Sequence, residues 1–418
     1  MNSEKILGVF IVVKMVNQAL KTWIIFVNRK YYSNVENQQK AHVILDHIPT
    51  VTEIEKNINY NVAIENNVLY IMWIHAFYTI TLLYFGIYGW IERQFEKESE
   101  FWTGICFFTI DATSREICKT YFNYKEKRLV KINITGAMPK TAMQSLRSLI
   151  FDIMFETIFT MVFYGVVLYV LSQYREYLWL LPVIFYPPMF WGLPMMLHPL
   201  LHKLEDDPLF KQRSAELKAD IDHLTEKTGI KVKNVYILNK SADEFHSNAF
   251  MMGFFKTKKI VLCDELVKKL TNKEIIGVVA HELGHFKLNH IMMKMCGRIV
   301  EKLFQCWLLN QCIQNPILYD AFHLKQGTIY GGLLVFNLWW NMVKLYEMPV
   351  EAYLSRQKEF AADAFAVQHA DRKDFQSGLL KIYVQNHSMP VSHPIYSVVY
   401  NSHPPLIERF QAMDRLCY

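Results

Sequence analysis

The sequence predicts a mainly α-helical, multi-spanning membrane protein with a small α+β segment set among its helices. Two runs set the membrane class: residues 68–91 and 178–201 each extend 24 residues without a lysine, arginine, aspartate or glutamate. Each exceeds the roughly 20 apolar residues that cross a bilayer as a helix. The α+β part is set by residues 205–270, where charged helix-forming sequence alternates with short runs of branched and aromatic residues, as strands require. Composition agrees, at 52% hydrophobic and 20% charged over 418 residues, but would also suit a soluble enzyme.

In chain order, residues 6–27 form an apolar run interrupted by Lys14 and Lys21. No small-residue cleavage site follows, so the run reads as an uncleaved anchor and not as a signal peptide. After the 68–91 run, residues 101–110 begin an apolar helix that Asp111 is expected to cut short. Lys125, Lys127, Arg128 and Lys131 then read as the cytosolic flank of a membrane helix. With a net charge of only +6, they do not amount to a nucleic-acid footprint. Residues 148–172 carry only Asp152 and Glu156, near one end. Residues 291–312 hold Lys294, Arg298, Glu301 and Lys302, and residues 330–343 are short of a full span. The first suits a membrane only if its charges face a watery, protein-lined interior, and the second only if flanking residues join it. The seven cysteines show no CxxC pair and read as reduced.

Within the α+β segment, "RSAELKADIDHLTEKTG" reads as a helix and "VKNVYIL" and "KKIVLCD" as strands, with "HSNAFMMGF" a further strand ended by Gly253. Thr271 and Glu274 have the spacing of a capping box. The helix they open carries "VVAHELGHFKLNH", residues 278–290. His281 and His285 lie about one turn apart and share a face. Two imidazoles so placed can hold zinc, with Glu282 beside them as a general base. Alone, the motif also suits a surface helix with two solvated histidines. A third ligand is needed, and "EFAAD" offers Glu359, which leaves a fourth position open to water. Asp363, one turn on, faces the same way and can accept the second N–H of a ligand histidine. Gly284 admits a close neighbour. His290 and His393 read as satisfied polar residues, not ligands. The expected domains are N-terminal membrane helices over 1–201, a first core part over 202–290, a membrane hairpin over 291–350 and a second core part over 351–418.

The motifs "HSNAF", "GFFKTKKIVLCDEL", "HELGHFKLNH", "SRQKEFAADAFA" and "NSHPPLIERFQAM" occur in this order from about residue 232 to the C-terminus. In them the chain resembles the type 1 CAAX prenyl proteases, zinc metallopeptidases of the endoplasmic reticulum and inner nuclear membrane. That resemblance implies a barrel of about seven membrane helices enclosing a chamber, with a zincin-type core. It implies one zinc per chain on His281, His285 and Glu359, with Glu282 catalytic and His403 supporting the oxyanion. Asn248 and Arg409 would contact substrate. The implied partners are prenylated CAAX proteins or peptides and membrane lipid, with no nucleic acid. Residues 124–141, "YKEKRLVKINITGAMPKT", stand where such proteases carry an E-E-x-x-G-F-N-like segment, so the chain is a diverged copy.

Two other classes remain open on sequence. A quality-control protease that cuts unprenylated membrane segments would use the same site. A transporter carrying an incidental H-E-x-x-H would bind no zinc, and the Glu359–Asp363 pair argues against it.

Overall fold

The computed structural model describes residues 3–39, 51–130, 142–185, 187–188, 201–203, 211–232, 234–238, 249–252 and 258–416. The first helices are α1 (Ser3–Tyr32), α2 (Val51–Tyr84), α3 (Ile87–Gln94), α4 (Glu100–Val130) and α5 (Ala142–Tyr174). There follow β1 (Leu201–Lys203), α6 (Lys211–Thr228), β2 (Asn234–Leu238), β3 (Ala249–Met252), β4 (Lys259–Cys263) and α7 (Asp264–Lys269). Next come α8 (Asn272–Lys287), α9 (His290–Gln314), α10 (Pro316–Ala321) and α11 (Ile329–His369). The chain closes with α12 (Arg372–Gln385), α13 (Pro394–Tyr400) and α14 (Leu406–Arg415). Two compact units divide the chain: residues 1–26, 59–183 and 299–347, and residues 27–58, 184–298 and 348–418.

The first unit is helical. Phe10, Leu83, Tyr88, Phe107 and Phe322 are fully buried in its core, and Phe10 meets Phe322 and Trp339 edge-on at 5.4 and 5.5 Å. Among the described residues, three segments are long and apolar enough to cross a membrane: Ser3–Tyr32, Asn57–Tyr84 and Leu149–Tyr177. The last shows why. Phe151, Phe155, Phe159 and Phe163 stack along one face of α5 at four-residue spacing, yet each is at least 50% exposed. An apolar stripe of this size needs a non-aqueous neighbour, which lipid supplies.

Two expectations are corrected here. The 68–91 run is not one span: α2 starts at Val51, ends at Tyr84 and is followed by Gly86 in the left-handed region, φ 62°. Asp111 does not end its helix. Arg115, one turn on, donates to its carboxylate at 2.8 Å and the Tyr88 hydroxyl donates at 2.9 Å, so a buried acid is satisfied and α4 runs through it. The short 330–343 run is joined by its flanks, the condition set for it, in α11, a 41-residue helix that continues past Pro349. The 178–201 run begins in a 3-10 turn, Arg175–Leu180, and residues 189–200 lie outside the described residues, as do 131–141 of the divergent segment.

The second unit holds a four-stranded sheet in the order β1-β2-β4-β3. Its centre is the parallel pair β2 and β4, where Ile237, Ile260, Val261 and Leu262 are fully buried. β3 and β1 flank it, each antiparallel to its neighbour. β1 was not foreseen, because three residues are too few to display the two-residue period of a strand. It satisfies backbone groups that β2 would leave open. Gly253 lies outside the described residues.

Helix α8 opens with the expected capping box: Glu274 N–H donates to Thr271 Oγ1 at 3.3 Å and Thr271 N–H donates to Glu274 Oε2 at 2.8 Å. Its partner is α12. A Cβ on Gly277 would stand 2.7 Å from Phe375 Cβ, so only glycine allows this approach.

Candidate metal centre

The site forms where α8 meets α11 in the second unit. Gly284 lies at the contact: a Cβ there would stand 3.1 Å from both Ala362 Cα and Phe365 Cβ. This closeness brings the one-turn pair Glu359 and Asp363 of α11 against the one-turn pair His281 and His285 of α8. His281 Nε2 and His285 Nε2 lie 3.2 Å apart. Glu359 spans both, with Oε2 at 3.5 Å from the first and Oε1 at 3.4 Å from the second.

These three residues form a group in which one ligand atom from each lies within 4.8 Å of the others. The donor set suits zinc by type, two imidazoles and a carboxylate. It also suits zinc by spacing. Ligand nitrogens at about 2.0–2.1 Å from a tetrahedral ion stand about 3.3 Å apart, close to the observed 3.2 Å.

A surrounding layer orients the three. Asp363 Oδ1 stands 2.8 Å from His281 Nδ1, which leaves Nε2 as the nitrogen that faces Glu359. Arg409 of α14 is buried and donates twice to Asp363, Nε to Oδ2 at 2.8 Å and Nη2 to Oδ1 at 2.6 Å. On the other histidine, His285 Nδ1 lies 2.8 Å from His290 Nδ1. Asn289, in the left-handed region at φ 57°, turns the chain between α8 and α9 so that His290 folds back; asparagine accepts that conformation at low cost. His403 follows α13 on a loop that Tyr383 OH fixes by donating to Pro404 O at 3.2 Å. Its ring is largely exposed, and its Nδ1 is 2.8 Å from Glu359 Oε2.

Burial works against charge throughout, and the partners decide the outcome. On His281 it is outweighed by Asp363 and Glu359, which push the ring up to about 9. Burial also opposes ionisation of Glu359, but His281, His285 and His403 hold its carboxyl well below the usual range. Arg409 does the same for Asp363. Glu282, half-buried beside the group, is raised above an ordinary carboxylate by burial. His290 is lowered to about 4, by burial first and His285 second, and so stands as a neutral ring.

The structure therefore brings together His281, Glu282, His285, Glu359, Asp363 and His403. Asn248 lies outside the described residues, immediately before β3, the strand that ends the sheet on its side and packs beside α8. Arg409, expected at the substrate, is engaged with Asp363. His290 is the satisfied polar residue expected of it, with its Nδ1 against that of His285; its place beside a candidate ligand was not foreseen, because five residues is not a helical neighbour spacing. His393, as expected, is a satisfied polar residue, capping α13 by accepting from Ile395 N–H at 3.2 Å.

Residues 211–416 match the model of peptidase family M48. A CAAX prenyl protease 1 homolog of Arabidopsis thaliana is 27% identical over 365 residues, covering 82% of this chain and 84% of that protein. The probable CAAX prenyl protease 1 of Schizosaccharomyces pombe is 32% identical over 53% of this chain and 46% of its own length. The Homo sapiens homolog is 30% identical over 48% of this chain and 50% of its own. These last two matches span about half of each relative. In fold, the chain is similar to the crystal structure of Saccharomyces mikatae Ste24p, with a TM-score of 0.78, 20% identity and 98% of each chain covered.

Proposed function

Because residues 211–416 match peptidase family M48 and the chain is a diverged relative of the CAAX prenyl proteases, we propose that it is a membrane-embedded zinc endopeptidase removing the C-terminal tripeptide from prenylated CAAX proteins. The observation that carries the chemistry is the convergence of His281, His285 and Glu359 with Glu282 beside them. We assign the three as ligands of one zinc ion. When bound, zinc supplies a Lewis acid that acidifies water and polarises a scissile carbonyl.

The protein's own groups do the rest. Glu282 takes the proton of the attacking water and passes it to the leaving amine, a task that needs a carboxylate within reach but not engaged as a ligand. His403, largely exposed and with its Nδ1 engaged by Glu359, has Nε2 left to support the negative oxygen that develops on the substrate carbonyl. For Arg409 we propose a positioning role in place of the substrate contact: it holds Asp363, which holds His281 in one tautomer. His290 serves His285 likewise. The outer edge of β3, with Asn248 just before it, suits an extended substrate backbone laid alongside as an added strand.

The resemblance and the three apolar segments support the finer placing, a chambered barrel of about seven helices in the endoplasmic reticulum membrane. The test is to incubate purified protein with a farnesylated CAAX peptide, with and without a chelator. Release of the last three residues, stopped by chelation and restored by zinc, is expected. Equal cutting of the unprenylated peptide transfers the reading to membrane quality control. No cutting of either peptide by the zinc-loaded protein overturns the peptidase assignment.

A further inference from the structure

The first unit buries polar side chains at one-turn intervals. On α1, Lys14, Asn17, Gln18 and Lys21 occupy positions i, i+3, i+4 and i+7, a single stripe across the middle of the helix. All four line one cavity of about 500 Å³, a volume typical of small-ligand sites. Its other walls include His75 of α2, Asp111 and Arg115 of α4, and two amide side chains of α11, Asn337 and Asn341.

The cavity's charges do not balance. Three cations face it against one carboxylate. Asp111 is taken up by Arg115, which reaches it through Nε at 2.8 Å and Nη2 at 3.2 Å, and by the Tyr88 hydroxyl at 2.9 Å. Lys14 and Lys21 make no ion pair with any described residue; the sole contact shown is Lys14 Nζ, 5.9 Å from the Phe10 ring centre. His75 Nε2 and Gln18 Oε1 are buried without a hydrogen-bond partner. Leaving two ammonium groups uncompensated among apolar helices is costly, and such groups in membrane segments ordinarily face water or a ligand. Seven residues along one helix put the two lysines about 10 Å apart along its axis, with an amide pair between them to hold a ligand's neutral part.

We propose that this cavity is a binding site for a small oxyanion, a carboxylate or a phosphate, held between Lys14 and Lys21. Asn17 and Gln18 hydrogen-bond the rest of the molecule, and Gln18 Oε1 accepts from it. Two sources offer this chemistry: the free C-terminal end of a short peptide and the phosphate of a lipid headgroup. The site stands independently of the peptidase reading, and its assay involves no cleavage.

The experiment is calorimetric titration of the purified full chain in neutral detergent. Its probes are inorganic phosphate, an acetylated tripeptide with a free C-terminus, the same tripeptide amidated, and phosphatidylglycerol against phosphatidylcholine in mixed micelles. At least one oxyanion should bind, and the amidated tripeptide and phosphatidylcholine should not. Lys14→Gln with Lys21→Gln should weaken binding by about tenfold or more, the scale of charge-assisted hydrogen bonds. Lys14→Arg with Lys21→Arg should keep it. Because the glutamine variant places neutral residues in a packed stripe, a second readout uses the unaltered protein: a saturating oxyanion should protect Lys14 and Lys21 from amine-reactive labelling, read by mass spectrometry. Binding that is unchanged in a folded glutamine variant, or labelling of both lysines that no probe alters, overturns the site.

Discussion

Glu282 lies between His281 and His285 in sequence, yet it is absent from the group of three ligand atoms that converge on one point. On the proposed mechanism, ligation and proton transfer fall to different side chains, and a substitution can part them. Glu282→Gln keeps the size and removes the proton acceptor. It should retain zinc in metal analysis while peptide cleavage falls by a factor on the order of 10² or more, the scale of general-base catalysis. Cleavage at the parent rate would remove Glu282 from the mechanism. His290 gives the converse case. Its Nδ1, 2.8 Å from that of His285, fixes which nitrogen of the ligand ring is free. His290→Ala should weaken zinc affinity about 10- to 100-fold, as loss of a ligand's outer partner does. His290→Asn, whose Oδ1 falls near the position of the lost Nδ1, should recover much of it in chelator competition. A purely structural role would show equal loss in both variants. The sequence made His281, His285, Glu359 and Asp363 legible because each pair is one helical turn apart. It could not show Arg409 closing on Asp363, since that contact depends on how separate helices pack, and His290 meets His285 through a turn at Asn289 that the helical period does not display.

The same division holds for whole elements. The capping box of α8 was legible because it is local, but Glu274 also ties α8 to α12. The Ser377 hydroxyl donates to Glu274 Oε1 at 2.6 Å, and Lys381 Nζ donates to Oε2 at 2.8 Å. Burial favours the neutral acid, yet Lys381, Ser377 and the Thr271 N–H together hold the Glu274 carboxyl below its ordinary value of 4.5. A carboxyl lowered on folding stabilises the fold above its unfolded pKa. That contribution is lost as pH falls through the lower, folded value. Glu274→Gln should thus cost about 1–3 kcal/mol at neutral pH, the range for a buried charge-assisted hydrogen bond. The readout is hydrogen exchange of the α8 backbone amides, which should speed up in the variant near pH 7. The gap from the parent should narrow as the pH is brought below 4.5, the ordinary value of the group. A gap that widens in acid would mean that Glu274 is protonated in the fold. Elements defined by long-range pairing were the ones missed: β1 exists because β2 offers it an edge, and the 68–91 run is divided by a glycine that its apolar neighbours conceal.

At the scale of the whole chain, the second unit is assembled from separate stretches. Residues 184–298 and 348–418 cluster within it, whereas 299–347 cluster with the first unit. The apolar runs suggested membrane crossings, but hydropathy alone does not say which charged helices return to pack together. The metal group requires that they do, since His281 and His285 precede residues 299–347 and Glu359 follows them. The interlock of α8 and α12 points the same way. Gly277 admits Phe375 to within van der Waals contact, and Lys381 reaches the buried Glu274 at 2.7 Å. Two helices joined by an ion pair on a buried carboxylate and by a shared glycine contact belong to one solvent compartment, with no hydrocarbon layer between them. Lys273 on α8 and Lys373 on α12 are both exposed and lie clear of the site. Each can therefore carry a reporter cysteine, with Cys296, the exposed thiol among the described residues, replaced by serine. In sealed, oriented vesicles a membrane-impermeant thiol reagent should label Lys273→Cys and Lys373→Cys from the same side, whether added outside or trapped within. Labelling of the two from opposite sides would place a membrane between the histidine ligands and Glu359, and no single zinc ion could then join them.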